Sequence, residues 1–442
     1  MAEATPVAIV ADTGLVRAIG VRGLAANTVN NVVGSGIFVL PAVVAATLGA
    51  SAIIAYLICA VAIGLIGLSF AEAGSRVSAP GGTYAYAESA FGPFVGFLAG
   101  VLFWLSQFTA SAAVATVFGG SVAALIPSLG APVPRAILLV LLYGGLAVLN
   151  TRGVRTGVGI VETFTAAKLL PLLLLVIAGA FFIHPANLKW TFTPTLTQIG
   201  TASLLLVFAF TGVEGALTSS GEVKNPSRTV PRAILIGLGA VSLLYIAIQL
   251  VAQGVLGPDL VLDQSAPLVA VAGHAFGSSG RVLLGIGAAV SAFGFVSGDV
   301  LATPRLLFAF GRDGFLPSRV GSVHSRFHTP VVAIIAHSAL CCAFAITGTF
   351  RSLVVLSTVA TLLVYFASCI ASIELRRRDV RSDGPPFLLR GGPTVPLLAC
   401  LVVVWMLSSA SRKEFASVAV ALIVASVLYM IRPKRRIIAR GD

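Results

Sequence analysis

The sequence predicts an all-α polytopic membrane protein with about twelve transmembrane helices. Three observations predict it. The 442-residue chain is 57% hydrophobic and only 10% charged, where soluble domains carry about 25% charged residues. Its apolar residues fall into blocks of about twenty, long enough to cross about 30 Å of hydrocarbon. Two blocks are interrupted in mid-course by Gly34-Ser35-Gly36-Ile37-Phe38 and by Phe210-Thr211-Gly212-Val213-Glu214.

The blocks run over 18–46, 49–75, 88–125, 133–150, 158–183, 199–222, 230–256, 274–310, 329–348, 351–375, 393–410 and 413–432. They predict one membrane domain over 18–432, preceded by a short segment 1–17 and followed by a basic tail 433–442. Residues 1–17 include Glu3 and Asp12, and no small-residue cleavage site follows a short apolar core, so no secretory leader is expected. Cys59, Cys341, Cys342, Cys369 and Cys400 all lie inside apolar blocks and read as buried small residues. With neither a CxxC nor a metal-ligand spacing, no metal or cofactor is expected.

The net charge of +13 is a matter of topology. With the N-terminus in the cytoplasm, most basic residues fall in cytoplasmic segments, among them Arg376-Arg377-Arg378 and Lys434-Arg435-Arg436. This bias predicts a cytoplasmic (inner) membrane protein with both termini cytoplasmic. The basic tail then adds attraction to anionic lipid. No basic domain interleaved with aromatics occurs, so no nucleic-acid partner is expected.

Gly34 and Gly212 mark spans one and six. An odd number of spans per half inverts the second half relative to the first. The expected organisation is a five-plus-five inverted repeat, 18–183 and 199–375, with two extra helices in 393–432 and helices one and six discontinuous. A broken helix in lipid leaves unpaired backbone groups costing several kcal/mol each unless protein, water or ligand satisfies them. Two such breaks imply a site for something polar.

Gly34 and Gly36 around Ser35 permit unwound backbone and close approach. A half-helix starting near Ile37 presents N–H groups and a positive dipole end suited to a carboxylate. A Gly-x-Gly packing notch would use the same residues. At the second break, free carbonyls beside Gly212 suit an ammonium group, with Phe208 and Phe210 as apolar cover. Glu214 reads as a gating or proton-linked carboxylate, or as a structural carboxyl bonded to a neighbouring helix. Lys168, deep in span five, reads as a coupling group standing where a metal cation would otherwise bind, or as the partner of Glu162. Asp299 reads as a second cavity acid favouring cationic groups, or as a cap on a distortion near Gly294 and Gly298. Glu72 and Glu374 are expected near the membrane interface. His337 reads as a hydrogen-bonded core histidine.

These pieces, in their order, resemble the amino acid–polyamine–organocation superfamily of permeases over nearly the whole chain. The matching stretches are Gly34 to Phe38, Pro80 to Tyr86 with Phe91-Gly92, Lys168-Leu169, Phe210 to Glu214 with Glu222 to Pro226, and Gly311 to Pro317 with Arg326 to Pro330. The resemblance implies a leucine-transporter-like fold and alternating access. It implies that Ser35, Gly36 and Ile37 hold a substrate carboxylate and that backbone of Ala209 and Phe210 takes the amine. It places Phe208 at a gating aromatic, and Lys168 where sodium-coupled relatives keep a sodium site, hence sodium independence. One departure stands out: related arginine/agmatine exchangers carry a substrate-contacting tryptophan at the position of Asp299.

The expectation is therefore a secondary transporter of amino acids or related amines, proton-coupled or an exchanger. A receptor that senses amino acids without carrying them would use the same site. No HExxH or GxSxG occurs, so an enzyme is not expected.

Overall fold

In hydrocarbon the backbone must satisfy its own polar groups, which makes the helix the default for each apolar block. The computed structural model describes residues 19–77, 83–153, 158–214, 223–381, 386–389 and 391–431. Segments 1–17 and 433–442, Gly81, Gly82 and Glu222, and the side chain of Glu162, lie outside the described residues.

The described residues are mainly helical. In order run α1 (Val21–Val32), α2 (Leu40–Leu48), α3 (Ile53–Arg76), α4 (Thr83–Phe91), α5 (Pro93–Leu125), α6 (Pro132–Thr151) and α7 (Val158–Gly179). There follow α8 (Leu196–Phe210), α9 (Pro226–Leu256), α10 (Pro267–Ala302), α11 (Pro304–Arg312), α12 (Val331–Thr347), α13 (Phe350–Arg377), α14 (Thr394–Leu407) and α15 (Arg412–Ile431). Among the described residues the sole β-type pairing is an isolated parallel bridge, Ile19 to Val223. Among the described residues, seven helical segments are long and apolar enough to cross a membrane, and four shorter apolar helices accompany them.

Local chemistry sets the helix ends. Proline stands in the first turn of α2, α5, α6, α9, α10 and α11, where its missing N–H is not needed. Thr195 with Gln198 and Thr349 with Ser352 form reciprocal caps at the starts of α8 and α13. The block expected over 274–310 begins earlier, at Pro267, and is bent at Gly277, whose backbone is non-helical.

α5 lies at the centre, packed against both α10 and α13, while α9 packs against α1 and α3. This arrangement surrounds the two interruptions with protein. α15 is the opposite case: only Val418 and Ala425 of its side chains are buried, and Val420, Ile423 and Val424 are exposed.

Of the five cysteines, four are buried and Cys342 is half-buried. Glu72, near the end of α3, is buried in protein: its side chain is 1% exposed, held between Arg76 and Arg376 at 3.6 and 3.3 Å. The carbonyl of Val380 and the N–H of Leu389 complete this network, which binds the ends of α3 and α13 together. Glu374 pairs outward with Arg377 and Arg378.

Candidate functional site

At the first interruption α-helix ends at Val32. Val33 and Gly34 are extended (ψ 91° and −172°), and a single 3-10 turn over Ser35–Phe38 leads into α2. The first N–H groups of such a start have no intrahelical acceptor, and no side chain caps them. The Ser35 hydroxyl is buried and makes no hydrogen bond among the described residues. A Cβ on Gly36 would lie 3.0 Å from the Phe208 ring, so this glycine lets that ring rest on the turn.

At the second interruption α8 ends at Phe210. Thr211 is extended (ψ 159°), and Gly212 has φ 109°, a conformation that disfavours side chains. A Cβ there would also stand 2.5 Å from the Asn31 carbonyl oxygen. Absence of a side chain thus lets the two interruptions meet. Glu214 accepts from the Gly212 N–H at 3.1 Å and from the Tyr365 hydroxyl at 2.5 Å.

Two side chains bind the freed carbonyls. The fully buried Tyr245 hydroxyl on α9 lies 3.0 Å from Val32 O and 3.0 Å from Ala209 O, one from each interruption. Lys168 on α7 donates from Nζ to Asn30 O at 2.6 Å. An ammonium at the carbonyl end of α1 offsets the negative end of its dipole.

A cavity of about 440 Å³ separates these groups. Gly34, Ser35 and Gly36 line one wall, and Phe208, Ala209 and Gly212 another. Lys168, Glu214 and Asp299 also reach it. Gln107, Ser291, Ser357 and Thr361 add uncharged polar groups. Ile37 and Phe210 are not on the lining. Both are fully buried, and Phe210 packs edge-on against Tyr245, ring centroids 5.1 Å apart.

Asp299 is tied down on both oxygens. Thr303 donates to Oδ1 at 2.5 Å, and His337 Nε2 lies 2.8 Å from Oδ2. His337, on α12, is a hydrogen-bonded core residue with no exposure. Cys341 Sγ lies 3.5 Å from the same ring nitrogen. Oxygen, nitrogen and sulfur thus gather within 4.8 Å, a spacing these hydrogen bonds reach without an ion.

Tyr245, Tyr365 and the Asp299–His337 pairing were not singled out from the sequence. One signal was available: a tyrosine inside an apolar block needs a partner for its hydroxyl.

The family model described as amino acid permease matches residues 19–431. The chain belongs to the amino acid permease family. It is 29% identical to the serine/threonine exchanger SteT of Bacillus subtilis (strain 168) over 429 residues, covering 93% of this chain and 95% of that one. It is 30% identical to an uncharacterized transporter of Mycobacterium tuberculosis (strain ATCC 25618 / H37Rv), covering 93% and 89%. A methylthioribose transporter of Bacillus subtilis (strain 168) is 27% identical, covering 91% and 90%. Membership makes this permease a multi-pass membrane transporter.

Proposed function

We propose that this permease is a secondary active transporter that moves amino acids or related amines across the cytoplasmic membrane by alternating access. One observation carries the reading: two uncoiled stretches of backbone face each other across a polar-lined cavity. Ser35 and the N–H groups at the start of the 3-10 turn suit a carboxylate. The carbonyl end of α8, at Ala209 and Phe210, suits an ammonium. Phe208 rests over Gly36 as a gating ring. Glu214 and Lys168 brace the two interruptions as coupling and gating groups, and Asp299 forms part of the far wall.

On this reading, interruptions near Gly34 and Gly212 are the discontinuous first and sixth helices of a twelve-span, five-plus-five inverted repeat. Residues 18–183 and 199–375 are the two repeats, and 393–432 the extra pair. Both termini face the cytoplasm. The Lys168 ammonium already occupies the carbonyl end of α1, which supports transport without sodium. Coupling is to protons or to a counter-substrate.

The names of relatives supply serine, threonine and methylthioribose for a panel; leucine and arginine add an apolar and a cationic amino acid. In proteoliposomes of the purified full chain, at least one radiolabelled member is expected to exchange or accumulate, equally with sodium or potassium outside. Saturable binding without flux would instead make the protein a receptor, and absence of both would overturn the reading.

A further inference from the structure

We infer that Asp299 and His337 form a proton-carrying pair on the wall of the substrate cavity, coupling proton movement to transport. The inference rests on the transporter reading above and goes further, by naming the groups that load and unload the proton.

The geometry is that of a shared proton. Oδ2 of Asp299 and Nε2 of His337 are 2.8 Å apart, with side chains 2% and 0% exposed. Thr303 donates to the other carboxylate oxygen, so the carboxyl group is fixed in orientation. The imidazole is not fixed in the same way. Its Nδ1 is buried and has no hydrogen-bond partner among the described residues. An ionised Asp299 can only accept, so the neutral ring carries its proton on Nε2, and the unpartnered Nδ1 is left as a bare nitrogen open to a second proton.

Among the described residues no permanent countercharge is hydrogen-bonded or ion-paired to the pair. α5, which packs along α10, has no ionisable side chain. α6 contributes Tyr143, whose hydroxyl is bonded to Ser111 at 3.1 Å. α12 contributes Cys341 and Cys342 beside the histidine. α7 contributes Lys168 on the cavity lining, already donating to Asn30 O. α9 carries Tyr245, committed to the two interruptions, and Arg228 and Arg232 in its first turns. α11 carries Arg305, which is exposed, and Arg312, paired with Asp313. On α13, Tyr365 is committed to Glu214.

An ionised carboxylate beside a neutral imidazole therefore has a net charge of −1. Taking one proton from cavity water brings the pair to zero. Releasing that proton to water on the other side restores −1. No other bond changes. Access to water is provided by Asp299 itself, which lines the cavity, and by Gly298 beside it, where an added Cβ would meet nothing within 4 Å. His337 stays off the lining, touches no substrate and exchanges its proton with the cavity through the carboxylate.

The test uses proteoliposomes of the full chain with membrane potential clamped at zero. A panel member that exchanges by counterflow is first identified among serine, threonine, leucine, arginine and methylthioribose. A gradient of one pH unit, acidic outside, should then drive about tenfold accumulation by wild type. His337→Gln should keep counterflow within about twofold and lose the gradient-driven accumulation. Asp299→Asn should lose that accumulation whatever its counterflow rate. Wild-type accumulation by His337→Gln or Asp299→Asn would overturn the inference. So would counterflow by wild type that ignores the gradient, which leaves the transporter reading standing. Absence of counterflow in wild type would sink the transporter reading itself. If His337→Gln fails to fold, wild type is tested in detergent by adding the exchanging compound to unbuffered protein with a pH-indicator dye. Uptake or release of about one proton per protein supports the pair, and none overturns it.

Discussion

The ammonium of Lys168 sits 2.6 Å from the carbonyl oxygen of Asn30, 138 positions earlier in the chain. This bond fastens α7 to the last turn of α1, beside the cavity. A charge-assisted hydrogen bond is worth about 1.5–3 kcal/mol. Lys168→Ala is therefore expected to lower exchange about tenfold to a hundredfold while the protein still inserts and elutes as a single species. Radiolabelled counterflow measures it, and full activity would remove Lys168 from the mechanism.

Tyr245→Phe removes one oxygen and leaves the carbonyls of Val32 and Ala209 without the hydroxyl they share. A buried polar group left unsatisfied costs about 1–3 kcal/mol. Thermal unfolding in detergent should fall, and exchange should fall with it. Loss of stability with unchanged exchange would confine Tyr245 to a structural role.

Gly212→Ala places a methyl group 2.5 Å from backbone at Asn31, on a residue with φ 109°. Neither strain can be relieved by turning a side chain. The variant is expected to lose exchange and to unfold at lower temperature. Gly64→Ala, on α3, meets nothing within 4 Å and should be neutral or stabilising by up to about 1 kcal/mol. The pair of variants separates a local clash from a general intolerance of alanine.

Ser35→Leu fills the turn where an unpaired hydroxyl meets the cavity. Exchange and binding should both disappear while insertion and monodispersity persist. An equilibrium binding assay with the exchanging compound checks this. Binding at wild-type affinity would place the carboxylate elsewhere.

Much of this molecule can be read from composition because lipid imposes so few solutions. An apolar block of about twenty residues has only the helix open to it. Gly34, Gly36 and Gly212 stand out because a helix in lipid has little use for clustered glycine beside polar residues. What stayed hidden depends on contacts between distant positions. Tyr245 reaches Val32 across 213 positions, and Tyr365 reaches Glu214 across 151. Asp299 and His337 were each visible alone, one as a cavity acid and the other as a core histidine. Their pairing across 38 positions follows from how α10 lies on α12. The partners of Glu72 stayed hidden for a related reason: nothing local announces that Arg376, 304 positions later, folds over it.

A single phenolic proton stands between two acceptors, one from each interruption. It can settle on only one at a time. An arriving cation that claims either carbonyl releases the phenol to the other, so occupancy is relayed to a side chain the visitor never touches. Tyr245 is in that sense a two-position latch, and its hydroxyl is where a spectroscopist should look for the difference between an empty carrier and a full one.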